Sequence, residues 1–248
     1  MNTVKVSRSG TSRKTAIIVG VLYIVGTVAG VLSLVFAGSI LNDPDYLIKV
    51  SANENQIITG ALFVLVMGLA LAMVPVMMFP VLKNHHEALA VGYVVFRGAL
   101  EAVCYIGMAI CWLLLIVVSQ EYVQAAASEA SYFQTLGALV SGANDSIRSI
   151  LEIVFPLGAL MFYTVLYQSK LIPRWISGWG LIAVILWLAV GLLGVFRLIT
   201  PMSTIQVVLS LPIALQEMVL AVWLIVKGFN LSPIFDNVGS AQVAISQA

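Results

Sequence analysis

Charge is what this sequence has least of. Asp, Glu, Lys and Arg together make up 9% of its 248 residues, against about 25% in a typical soluble domain. Apolar residues make up 61%, and the mean hydropathy is +1.05. That balance excludes a soluble globular domain and reads as a polytopic membrane protein. The net charge of +1 points to no partner, and there is no basic cluster of the kind a nucleic-acid binder carries.

Chemistry-bearing residues are equally scarce. The only histidines, His85 and His86, are neighbours in the loop KNHHEAL. Adjacent side chains diverge, so they read as a solvated pair, not a metal site. HExxH, a Walker loop and GxGxxG are all missing, as are an intramembrane Ser/His or Asp/Asp pair and a lysine within an apolar run. The expectation is no enzymatic activity, no cofactor and no metal. Cys104 and Cys111 are seven apart on one predicted helix, which separates them by about 10 Å. That exceeds the roughly 7 Å Cα limit for a disulfide, so both read as free thiols filling small apolar spaces.

Long apolar runs are what the sequence has instead. Six stretches, near 15–40, 56–82, 88–118, 146–168, 176–199 and 204–227, reach the roughly 20 residues that a bilayer core requires. The expected fold is all-α, a polytopic six-span transmembrane helix bundle over residues 15–229. A basic segment, 1–14, precedes it, and a tail without periodicity, 230–248, reads as disordered. The run after Lys14 continues to Ile40, longer than the roughly 7–15 residues of a signal-peptide core, so the first helix reads as retained. The Ala/Ser-rich segment 120–145 has three readings: a loop, an interfacial helix, or an extension of its neighbours. A solvated turn is expected at Asn42-Asp43-Pro44.

Loop charges orient the bundle. With six spans the termini share one side, which then holds Lys5, Arg8, Arg13, Lys14, Lys83, Lys170, Arg174 and Lys227. The other side holds only Lys49 and Arg197. By the positive-inside rule both termini are cytoplasmic, and the expected location is a bacterial inner membrane, with the lipid bilayer as first partner. Gly26 and Gly30 form a GxxxG pair suited to close helix contact. Pro156 and Pro212 are expected to kink the fourth and sixth helices. Trp175 and Trp179 fall where an interfacial aromatic belt belongs.

Five charges interrupt the apolar runs: Arg97, Glu101, Arg148, Glu152 and Glu217. An Asp, Lys or Arg at a helix centre costs about 2.5–3.5 kcal/mol on insertion, so such residues must pair and face the bundle interior or water. Residues three or four apart share a helix face. Arg97 and Glu101 then share one with Cys104, Tyr105 and Met108. Ser141, Asp145, Arg148, Glu152 and Tyr163 share a second, and Ser203, Gln206, Ser210 and Glu217 a third. Depth along each helix puts Arg97 level with Glu217, near mid-membrane. The third and fourth helices also share RxxLExVxxxG, at Arg97–Gly107 and Arg148–Gly158, which reads either as ancestry or as chance plus a shared packing demand.

Four stretches carry a family resemblance: LNDPDYLI (41–48), FPVLK with EALAVGYVVFR following (79–97), SKLIPRWISGWGLI (169–182) and LPIALQEMVLAVWLIVKGF (211–229). The Pro173-Arg174-Trp175 element and the pattern from Glu217 to Phe229 are the most specific. The sequence resembles a bacterial integral membrane family classed as domain of unknown function 4386. The resemblance implies a polytopic helical architecture and assigns no residue a role. Two functions stay open at this point. One is a small transporter-like or ligand-binding protein, with the five charges as binding residues for a small molecule, cation or proton. The other is a non-transporting regulator or assembly partner in which the same charges are structural salt bridges. Nothing in the sequence indicates an oligomeric state.

Overall fold

A bilayer core offers no partner to backbone N–H and C=O groups, so a chain this apolar satisfies them within helices. The computed structural model describes residues 2–126, 128–196, 198–199 and 204–230, with side chains from Ser12 onward, and all regular structure among them is helical. Seven helices follow one another: α1 (Asn2–Leu41), α2 (Tyr46–Ala52), α3 (Glu54–Leu82), α4 (Glu87–Gln124), α5 (Ala130–Ser169), α6 (Arg174–Val195) and α7 (Thr204–Val226). All but α2 contain a window long and apolar enough to cross a membrane. The basic N-terminal segment continues α1 as helix. The tail 231–248, Ser203 and Arg197 lie outside the described residues.

Residues 120–124 and 130–145 are helix extension, from α4 and α5 in turn. α4 runs on to Gln124, and α5 starts at Ala130 and spans 40 residues, about 60 Å, so it projects well beyond a bilayer core. Pro156 and Pro212 both lie inside helices that continue past them. The turn at Asn42–Asp45 leads into the short helix α2, which the sequence reading does not foresee. There the Asp45 amide donates to Asp43 Oδ1 at 2.9 Å, and Lys49 donates to Asp43 Oδ2. The Lys49 bond first, and then the Asp45 amide, hold the Asp43 carboxyl below its ordinary range. Of the histidine pair, His86 is exposed as expected but His85 is partly buried, and His86 also has a structural role. Its Nδ1 accepts the Leu89 amide at 3.3 Å and caps α4. Cys104 and Cys111 are buried free thiols.

The six long helices pack in chain order as a closed ring. α1 lies against α3, α3 against α4, α4 against α5, α5 against α6, α6 against α7, and α7 returns to α1. Small residues permit the close approaches, as expected where lipid supplies no hydrophobic drive between helices. A methyl on Gly26 would stand 2.8 Å from Leu71, and one on Gly30 2.7 Å from Met67 Sδ, so the GxxxG pair serves the α1–α3 seam. A methyl on Gly20 would meet the Ala221 carbonyl at 2.6 Å, which closes the ring between α1 and α7 at the end nearer the N-terminus.

Candidate functional site

A ring of helices has an interior, and the five intramembrane charges meet there. Arg97, from α4, is 2% exposed. It reaches across the ring to α7, donating from Nη2 to Glu217 Oε1 at 2.9 Å. Its Nε stands 3.5 Å from Glu101 Oε2, one turn along its own helix. The guanidinium lies 4.3 Å from the centre of the Phe155 ring and 5.9 Å from that of Tyr23. The Tyr105 hydroxyl donates to Glu101 Oε1 at 3.2 Å. Higher in the ring, Gln206 Nε2 donates to Glu152 Oε1 at 2.5 Å. The depth arithmetic thus pairs the residues that the structure pairs at Arg97 and Glu217.

Local backbone explains how Arg97 reaches so far. Residues Val94–Leu100 wind as a π-helical segment inside α4, and the Glu101 amide bonds Phe96 O, five residues back. The wider turn carries Arg97 within it, and such π segments recur at functional sites. The repeated RxxLExVxxxG stretches pack antiparallel on one another. A methyl on Gly158 would meet the Arg97 amide nitrogen at 3.1 Å, and one on Gly107 would meet Ile147 Cδ1 at 3.0 Å. Each glycine therefore admits the start of the other stretch.

Above Arg97 the ring is hollow. A cavity of about 510 Å³ is lined by Arg97, Glu101, Arg148, Glu152 and Glu217 together. It extends away from the termini to Trp112, Asn144 and Gln206. On the other side of Arg97 the interior is filled by buried aromatics: Tyr23, Tyr93, Phe162 and Tyr163. Tyr23 and Tyr93 share a hydroxyl–hydroxyl bond of 3.3 Å, and Tyr93 stacks on Phe162 at 4.6 Å. The cavity is thus closed toward the terminal end. At its other end it is lined from α1 and α7 by Val31, Leu34, Val207 and Leu211, which are about half exposed.

Two guanidiniums face three carboxylates in this space. On its wall Arg97 Nη1, Asn144 Oδ1 and Trp187 Nε1 are buried without a hydrogen-bond partner among the described residues, while Arg97 Nε and Glu101 Oε2 face each other as an ion pair. The volume falls within the roughly 300–1,000 Å³ of small-molecule sites. Among the described residues no cluster of His, Cys, Asp and Glu has the arrangement of a metal centre.

Some side chains fall elsewhere than the helical stripes placed them. Asp145 is exposed, and Asn144 lines the cavity in its stead. Asn144 is four residues before Arg148 and Asp145 is three, and the rotation of α5 selects the former. Gln216 carried no signal beyond standing next to Glu217 in an apolar run. It is fully buried, accepts from the Tyr163 hydroxyl at 2.6 Å and donates to Ile176 O at 3.0 Å, tying α7 to α5 and α6 beneath the cavity.

Residues 18–228 match the family described as Domain of unknown function (DUF4386). The chain belongs to the DUF4386 family. No curated protein and no solved structure matches it. The cavity and its five charges fall wholly within the span matched to DUF4386.

Proposed function

We propose that this integral membrane protein binds a small cation or a proton in the ring cavity, as a transporter-like or ligand-binding protein of a bacterial inner membrane with both termini in the cytoplasm. The basic bias of the loops supports the orientation. The observation that carries the function is the convergence of five charges from α4, α5 and α7 on a single cavity. Ionisable residues inside a membrane mark ligand and ion pathways, and an excess of one carboxylate over guanidinium suits a positive ligand. Glu217 and Glu101 are the binding groups and Arg97 is their counter-charge. The role is binding and transfer without covalent chemistry.

Salt bridges retained only for packing account for Arg97 with Glu217 and Glu101. They do not account for the space above them. The test is flux in proteoliposomes loaded with a pH-sensitive dye, under an imposed membrane potential or sodium gradient. Wild type is expected to carry protons or cations, and Glu217→Gln to slow this by about tenfold or more, the loss of one charge-assisted bond. Identical rates for wild type and Glu217→Gln would count against the reading.

A further inference from the structure

A second cavity, of about 470 Å³, lies at the opposite end of the bundle from the charged one. It is walled by the α5–α6 link, from Lys170 to Arg174, and by the end of α7, from Trp223 to Asn230. Three cations line it, Lys170, Arg174 and Lys227, with no carboxylate among the described residues of its lining. All three are exposed at the rim, and among the described residues none forms an ion pair. The Arg174 guanidinium rests 5.3 Å from the centre of the Tyr167 ring, a contact that leaves its donors available.

The fold assembles this group of charges. Lys170 ends α5 in the left-handed region, at φ 56°, the sole non-glycine residue among those described with positive φ. Gly228, at φ 75°, turns the chain after α7, and the Asn230 amide then bonds Leu171 O at 2.7 Å. That bond fixes the Lys227 segment against the Lys170 segment. Lys227 is not needed to cap α7, because Arg13 of α1 already donates to Leu224 O, Ile225 O and Val226 O. Arg174 opens α6, whose positive end adds to the field.

The position decides what such a pocket meets. Ser169 closes one span, Arg174 opens the next and Val226 closes a third, so the pocket sits at the depth of the lipid head groups. Basic pockets between helices at this depth recognise lipid phosphates, and Trp223 on the wall has the amphipathic ring suited to that boundary. We propose that this pocket binds an anionic phosphate group through Lys170, Arg174 and Lys227. A lipid head group and a free phosphate share this chemistry. The site is separate from the ring cavity and stands or falls independently of the function assigned there.

Native mass spectrometry of the full chain tests it, with phosphatidylglycerol, phosphatidylcholine and inorganic phosphate as probes. Wild type should retain phosphatidylglycerol over phosphatidylcholine. The triple variant Lys170→Gln/Arg174→Gln/Lys227→Gln should weaken that retention by about a hundredfold, each surface cation being worth roughly fivefold. Displacement of phosphatidylglycerol by inorganic phosphate, lost in the triple variant, would identify a water-borne phosphate as the occupant and still support phosphate binding. Retention that resists inorganic phosphate identifies the lipid. If the triple variant does not fold, Lys170→Gln and Lys227→Gln singly should each cost about fivefold. Equal retention of both lipids by wild type overturns the proposal. So does an undiminished preference in folded variants whose only change is a lower melting temperature, the result expected if these cations merely balance helix ends.

Discussion

Replacing Arg97 with methionine is expected to destabilise the bundle by about 3–5 kcal/mol, the cost of stranding a buried charge without its partner. Two carboxylates lose their counter-charge at once, since Arg97 pairs with Glu217 across the ring and with Glu101 along α4. Denaturant or thermal unfolding in micelles reads the effect. Because a buried ion cluster replaced whole by neutral groups is often no less stable, Arg97→Met/Glu101→Gln/Glu217→Gln should recover most of the loss. A triple variant as unstable as the single one would mean that Arg97 acts through its packing on Phe155 and Tyr23, not its charge. A stable triple variant that carries no flux would separate the binding role from the structural one.

The second large effect is at the α5–α6 seam. A methyl at Gly191 would stand 2.6 Å from the Glu152 carbonyl oxygen and 3.0 Å from its carbonyl carbon. Backbone atoms cannot rotate away as a side chain would, so the helices must separate. Gly191→Val is expected to cost about 1–3 kcal/mol, the usual range for overpacking. It should also displace Glu152 from Gln206, since the same methyl would lie 3.1 Å from Glu152 Cβ. Gly142 is the control on α5. Nothing stands within 4 Å of a methyl there, and Gly142→Ala should gain about 0.5–1 kcal/mol from helix propensity. Melting temperatures in micelles should therefore rank Gly142→Ala highest and Gly191→Val lowest, with wild type between.

Hydropathy made the six spans legible because length and apolarity decide membrane insertion with little help from tertiary context. The site was legible for the same reason in reverse, since a charge inside an apolar run has few places to go. Counting residues along two helices was enough to pair Arg97 with Glu217. What escaped depends on rotation and winding. Ala, Gln and Glu in 120–145 favour helix, yet they are mixed with Ser and Gly and do not form an apolar run, so the 40-residue length of α5 was open. The choice of Asn144 over Asp145 rests on how α5 is turned in the ring. The π segment around Arg97 leaves no mark in a pattern of three and four. Gln216 faces a seam of three helices that no single helix's pattern reveals. The second cavity joins residues more than 50 apart in sequence, Lys170 and Lys227, and only the fold brings them together.

Whether water reaches the charges is the question that bears most directly on the account. In a Cys104→Ala/Cys111→Ala background, Ser210→Cys places a thiol on the cavity wall, and Leu215→Cys places one on the exposed outer face of the same helix. A membrane-impermeant methanethiosulfonate reagent, applied to the reconstituted protein, reports on each. Labelling of Ser210→Cys at a rate well above Leu215→Cys, slowed by occupying the cavity with the transported cation, is the predicted result. A Ser210→Cys thiol as unreactive as the lipid-facing one would mean a dry, fully structural cluster and would contradict the account.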